Sequence, residues 1–237
     1  MSEIVNKKIK FGSKTIVYGL EFKERKSLGI KVYPDCSVKV IAPLESTEDL
    51  IKKKIKEKAP WIITQQNEFL SYHPLTPPRK YLNGETHLYL GRQYRLKTDI
   101  SVPPKTIKLL HGRILVPIDD PFEIKILLEK WYRKQAKFHF KEVLGQQIKL
   151  FNKYDISPNP PLHIQSMPTR WGSCTPRGKI IMNPELIKAP KGCIEYVVVH
   201  ELCHLIHHNH TRAFYDLQES ILPDWKKWKQ KLEKTLI

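Results

Sequence analysis

Residues 200–204 read His-Glu-Leu-Cys-His. On a helix, a step of about 100° per residue puts His204 about 40° round from His200 and one turn along. Both imidazoles then reach one ion, and Glu201 faces the same side without being a ligand. Imidazole nitrogens suit zinc, and a carboxylate beside the ion's open position suits proton transfer. The chemistry implied is hydrolysis through a zinc-activated water with Glu201 as general base.

The flanking residues support a helix. With His200 as origin, Val198, Leu202 and Leu205 fall on the far face, and Val199 and Ile206 lie beside them. His207 and His208 fall with the ligand pair, and only Val197 breaks the sorting. Catalytic zinc usually has three protein ligands and a water. His210 is the expected third: Asn209 tolerates a left-handed conformation and can end the helix, folding His210 back towards the ion. Glu219 is the rival, and His207 and His208 are local rivals that a continuing helix carries away. The His204–His210 spacing equals that of the metzincins, but His207 stands at their glycine position and no methionine follows for a Met-turn. Asp216 is a candidate acceptor behind a ligand ring. Arg170 and Tyr215 are candidate donors to an oxyanion. Cys174 and Cys203 read as plain buried thiols.

The elements that must position this helix are legible in outline. Thr15–Tyr18, Ile30–Tyr33 and Val38–Ile41 alternate between turn formers, which predicts a small antiparallel sheet. Ser46 or Thr47 caps a helix with Glu48 and Asp49 in its first turn. Pro60 is expected to break that helix, and a second starts at Trp61. Residues 73–79 read as a linker. Asn83-Gly84 predicts a hairpin ahead of His87–Leu90, and His111-Gly112 predicts another. The domain boundary is expected near Asp119–Pro121. Residues from Phe122 to about Tyr154 read as helix with a break at Gly145, followed by short strands within 162–167 and 179–182. Helices follow Pro190, interrupted near Asn209 and Pro223. The fold class is therefore α+β: a β-rich antiparallel N-terminal domain (1–119) with helices near 48–70, then a mostly helical domain (120–237). No internal repeat is evident.

Composition bounds the function. Apolar residues at 41% and charged residues at 27% exclude a disordered chain. The N-terminus has no apolar h-region, and no stretch is long and apolar enough to span a bilayer. No membrane partner is therefore expected. The cysteines, Cys36, Cys174, Cys193 and Cys203, lack C-x-x-C spacing and read as reduced thiols of a cytoplasmic protein. The net charge of +17 is spread along the chain: 22 Lys/Arg against 13 Asp/Glu in residues 1–121, and 19 against 11 after them. Such a charge favours a polyanionic partner such as nucleic acid, or serves solubility alone. Trp225, Trp228, Leu232 and Leu236 at helical spacing read as core-facing, with the surrounding lysines solvated. The alternative function is a nucleic-acid-binding protein whose zinc is structural, closed by a fourth protein ligand and with no need of Glu201.

The motif at 200–204 with His210 and Phe214, preceded by Arg170-Trp171-Gly172-Ser173-Cys174 and Ile181-Met182-Asn183-Pro184-Glu185-Leu186, resembles the YgjP-like metallopeptidases. More distantly it is similar to the SprT-like proteases. The resemblance is strongest from Arg170 to Phe214 and extends weakly to Arg25–Leu28, Trp61-Ile62, Gly84 and Gly91. It implies a zincin-like metallopeptidase domain with His200, His204 and His210 as zinc ligands, Glu201 as catalytic residue and a protein or peptide as substrate. It also implies that the Ile180–Asn183 strand lies beside the active-site helix, where an extended peptide can add as a strand. The SprT-like similarity suggests proteolysis near DNA.

Overall fold

The computed structural model describes residues 4–70, 78–99, 101, 103–104, 106–154 and 156–236. Most of the expected linker at 73–79 lies outside them. The chain divides into two compact units between Pro77 and Pro78.

The first unit runs β1 (Val5–Phe11), β2 (Lys14–Lys23), β3 (Gly29–Val32), β4 (Val38–Pro43) and α1 (Glu48–Leu70). Period-two alternation puts Ile16, Tyr18 and Leu20 of β2 and Val38, Val40 and Ala42 of β4 on one buried face. Ile51, Ile55, Ala59 and Ile62 recur along one stripe of α1 and close over that face. The sheet is mixed rather than antiparallel: its order is β1-β2-β4-β3, and β2 and β4 run parallel. Alternation marks a strand but not its partner. Here β4, whose core-facing residues are all buried, takes the inner place and the half-buried β3 goes to the edge. The expected break at Pro60 is also absent, and α1 runs straight through it. Both Pro60 and Lys56, whose carbonyl loses its donor, are exposed, so water satisfies that carbonyl.

The second unit begins with the same plan: β5 (Thr86–Tyr89), β6 (Arg92–Thr98), β7 (Lys108–Leu110), β8 (Arg113–Val116) and α2 (Pro121–Gln147). Its sheet has the order β5-β6-β8-β7, again with a parallel middle pair. This topological repeat is invisible in the residues, because the two copies share alternation and not side chains. His111-Gly112 forms the expected turn, with φ of 44° and 72°. Asn83-Gly84, by contrast, only leads into β5, and the hairpin turns at Leu90-Gly91, with φ of 49° and 77°. Tertiary contacts hold Leu90 there: the Leu90 and Gly91 amides donate to the carbonyls of Ile187 and Lys188. A Cβ on Gly91 would fall 2.7 Å from Pro190.

The division does not fall at Asp119–Pro121. Asp120 is the N-cap of α2, accepting from the Glu123 amide, and Pro121 occupies the first turn. Tyr89, Leu96, Ile114 and Val116 share one core with Ile124, Leu128 and Phe140 of α2, which ties the second sheet to that helix. The helix passes Gly145 unbroken and ends in a 3-10 turn over Ile148–Phe151.

Next come β9 (Leu162–Ile164), β10 (Gly172–Cys174) and β11 (Ile180–Met182), in the order β10-β11-β9. The chain finishes with α3 (Lys191–Cys203), α4 (Arg212–Ile221) and α5 (Trp225–Leu236). From Pro121 onwards the elements are thus mostly helical, and the sheet β5–β8 ahead of them makes the second unit mixed α and β. Ile194, Val198, Val199 and Leu202 bury α3, and Trp228 of α5 lies against Gly192, where a Cβ would fall 2.5 Å from the indole. No helix among the described residues is long and apolar enough to cross a membrane.

Two glycine substitutions separate helix propensity from packing. Gly145→Ala, at a helical position with nothing within 4 Å, is expected to stabilise the chain by about 0.5–1 kcal/mol in urea unfolding. Gly192→Ala forces its methyl into Trp228 and is expected to cost about 1–3 kcal/mol in the same measurement.

Candidate active site

The helix α3 stops at Cys203, and His204 caps it with right-handed backbone angles (φ −66°, ψ −17°). The Leu205 and Ile206 amides donate to the Leu202 and Cys203 carbonyls and tighten the exit into a turn. The chain therefore leaves the helix earlier than expected and without a left-handed residue, since Asn209 is not among the positive-φ positions. The fold-back still brings His210 to the ring pair. One nitrogen from each of His200, His204 and His210 lies within 4.8 Å of the other two. His200 Nε2 and His210 Nε2 are 3.0 Å apart. Phe214 of α4, fully buried, lies beneath all three, with ring centroids 4.9, 4.7 and 4.8 Å away.

Their outer hydrogen bonds decide which nitrogens are free. His204 Nδ1 lies 3.2 Å from the His207 carbonyl, which can only accept, so the proton sits on Nδ1. His200 Nδ1 likewise donates to Gln218 Oε1 at 2.8 Å. Each ring is left with an Nε2 lone pair. Burial pushes the His200 pKa down to about 4, although the Gln218 bond works the other way. Burial also lowers the His204 pKa. Both rings are therefore neutral near pH 7, the form that binds a metal. Three imidazoles are a donor set that fits zinc and not calcium or magnesium.

Glu201 is buried beside the triad. Burial raises its pKa to about 7, against the opposing pull of Arg170 and of the nearby Cys174 amide. Its Oε2 is buried without a hydrogen-bond partner. The close approach needs Gly172, where a Cβ would fall 2.5 Å from Glu201 Oε1. Around β10, the Asn183 amide bonds to the Trp171 carbonyl and the Thr175 amide to the Lys179 carbonyl. Residues 171, 173 and 175 thus face β11, so Gly172 and Cys174 turn their main-chain groups the other way, towards α3. A cavity of about 630 Å³ opens here, lined by Arg170, Trp171, β10, Val197, Glu201 and the histidines.

A family model described as YgjP-like, metallopeptidase domain, matches residues 26–235. The chain belongs to the YgjP-like metallopeptidase family. A metallopeptidase of this family works through a metal ion and takes protein or peptide as substrate. The YgjP-like match spans both compact units. No curated protein matches the chain. Among solved structures it is similar to the crystal structure of the metallopeptidase zymogen of Pyrococcus abyssi abylysin, at 18% identity and a TM-score of 0.37 over 41% of this chain and 94% of that one.

The other candidate residues divide between those that leave the site and those that border it. Asp216 is exposed and pairs with Arg212, whereas the acceptor behind His200 is Gln218. Glu219 is turned to Lys226 at 3.5 Å and does not join the triad. The His207 carbonyl serves His204, and His208 Nδ1 lies 3.1 Å from the His204 carbonyl. Tyr215 stacks on His210 and Trp225. Arg170 lines the cavity, as does the half-buried Cys174, while Cys203 is fully buried with its thiol pushed up to about 12. The strand beside α3 is the edge strand β10, not Ile180–Met182, which lies in the middle of its sheet. Three residues are too few for alternation to mark β10, although the Pro176-Arg177-Gly178 turn, with φ of 75° at Gly178, points to it. Gln218 was findable because it sits one helical turn after Phe214 on the same face of α4.

Replacing Gln218 by Leu removes the acceptor that orients His200. Zinc affinity, read by chelator competition, is expected to fall about 10–100-fold, and Gln218→Glu to preserve it.

Proposed function

We propose that this YgjP-like protein is a zinc metallopeptidase in which His200, His204 and His210 hold the ion and Glu201 is the general base. The observation that carries the reading is three imidazoles converging beside a buried carboxylate at the wall of an open cavity. Zinc there supplies Lewis acidity and makes a water molecule acidic near neutral pH. Glu201 takes that water's proton on a carboxylate oxygen and returns it to the nitrogen of the leaving amine. The nearby Cys174 amide favours the charged form of the carboxylate. The outward main-chain groups of β10 give an extended substrate a strand to pair with, as in zincins. Arg170, at the cavity wall, is positioned to meet the charge that develops on the attacked carbonyl.

A structural zinc in a nucleic-acid-binding protein, the reading raised by the net charge, calls for a fourth protein ligand. Among the described residues the cluster has three, all opening on the cavity. All four cysteines are free, which supports a reducing compartment such as the cytoplasm.

Purified Glu201→Gln is expected to keep its zinc by elemental analysis and to lose peptide cleavage by about 10²–10⁴-fold. His204→Ala is expected to lose both. Undiminished cleavage of casein by the Glu201→Gln protein would refute the assignment.

A further inference from the structure

The weak arms of the family resemblance, Arg25–Leu28 and Trp61, lie outside the metal site, and the first unit brings them to one groove. The groove has a volume of about 630 Å³. Leu28, Ile30 and Pro43 form its apolar floor, and Leu50 and Trp61 of α1 form one wall. Leu50, Lys54, Lys58 and Trp61 follow one another at helical spacing, so α1 has a second face beside its buried stripe. That face leaves two large apolar side chains in water: Leu50 is 54% and Trp61 45% exposed. Lys26, Lys54 and Lys58 stand on the rim, and Lys26 and Lys58 form no ion pair with a described residue. The outer side of β3 pairs with no strand among the described residues, so half of its amides and carbonyls face outwards along the same groove.

We infer that this groove docks an extended, acidic peptide segment carrying a large apolar side chain, which adds to β3 as a further strand and seats that side chain against Trp61. Each part of the peptide has its counterpart: main chain for the β3 edge, apolar side chain for the floor, carboxylates for the lysine rim. A single-stranded nucleic acid fits less well, because it needs successive aromatic platforms and, among the described residues, Trp61 is the only ring lining the groove. The topological repeat supplies an internal comparison. The corresponding groove of the second unit has Lys130 and Lys134 on α2, but its Trp131 is packed at a tilt against Tyr89 and edge-on to Tyr132 and is not free to receive a side chain.

The test is fluorescence anisotropy on the full-length protein. The probes are a short labelled peptide alternating Glu and Leu, the same peptide with Lys for Glu, and an oligothymidylate. The Glu/Leu peptide is expected to bind, and more weakly as salt rises, while the Lys/Leu peptide does not. Trp61→Ala, and Lys54→Glu with Lys58→Glu, are expected to weaken binding by at least about tenfold, and Trp61→Phe to restore most of it. Lys130→Glu with Lys134→Glu is expected to leave it unchanged. All these side chains are exposed, and an unchanged thermal midpoint confirms folding. The inference fails if the Glu/Leu peptide does not bind, if Trp61→Ala binds as well as wild type, or if the Lys130/Lys134 variant loses as much. It also fails if the oligothymidylate binds and depends on Trp61 while the peptide does not.

Discussion

The position of two protons governs the catalytic end of this molecule. While the Nδ1 protons of His200 and His204 are committed to Gln218 and the His207 carbonyl, both Nε2 lone pairs must point inwards. If either partner were lost, the ring could turn or exchange tautomers, and the common focus of three nitrogens would blur. The two partners come from different places. One is a buried side chain of α4, and the other is a main-chain carbonyl in the turn that ends α3. Helix, turn and following helix must therefore all be in place before the triad exists.

Much of the second unit can be understood as the means of holding α3 still. Its length is buried in a core that also receives Tyr89, Leu96 and Ile114 from the preceding sheet. Glycines permit the closest approaches, Gly192 under Trp228 and Gly172 under Glu201. At Gly172 the missing Cβ has a chemical result as well as a steric one. It lets β10 come near enough for the Cys174 amide to favour the charged carboxylate, so one edge strand both shapes the cavity and tunes the acid.

The legibility of the fold and the site in the sequence depends on the range of the forces involved. The histidine motif, its helix and the fold-back of His210 are local, and spacing alone brought them together. Strand partners are not local. Alternation in β2, β3 and β4 was plain, yet nothing in it distinguished an antiparallel meander from the mixed order that places β4 inside. Two breakers are overridden for different reasons: Pro60 is tolerated because water can reach the carbonyl it frees, and Gly145 because a helix admits glycine at a modest cost. Leu90 accepts a turn conformation that its own preferences oppose, because distant carbonyls hold it there. Asp119–Pro121 looked like a seam and is a helix cap. Gln218, an uncharged amide, carries no motif of its own beyond its place one turn after Phe214, and its burial behind the His200 ring gives it its role.

The early end of α3 has an electrostatic consequence. The aligned peptide dipoles of a helix leave about half a negative elementary charge at its C-terminal end. Because α3 stops at Cys203, that end lies within a single turn of both His200 and His204. A dication gathered by these rings would sit in a field that is already attractive before any formal charge on the protein is considered. The backbone would thereby do part of what a carboxylate ligand does elsewhere, with imidazoles as the only donors.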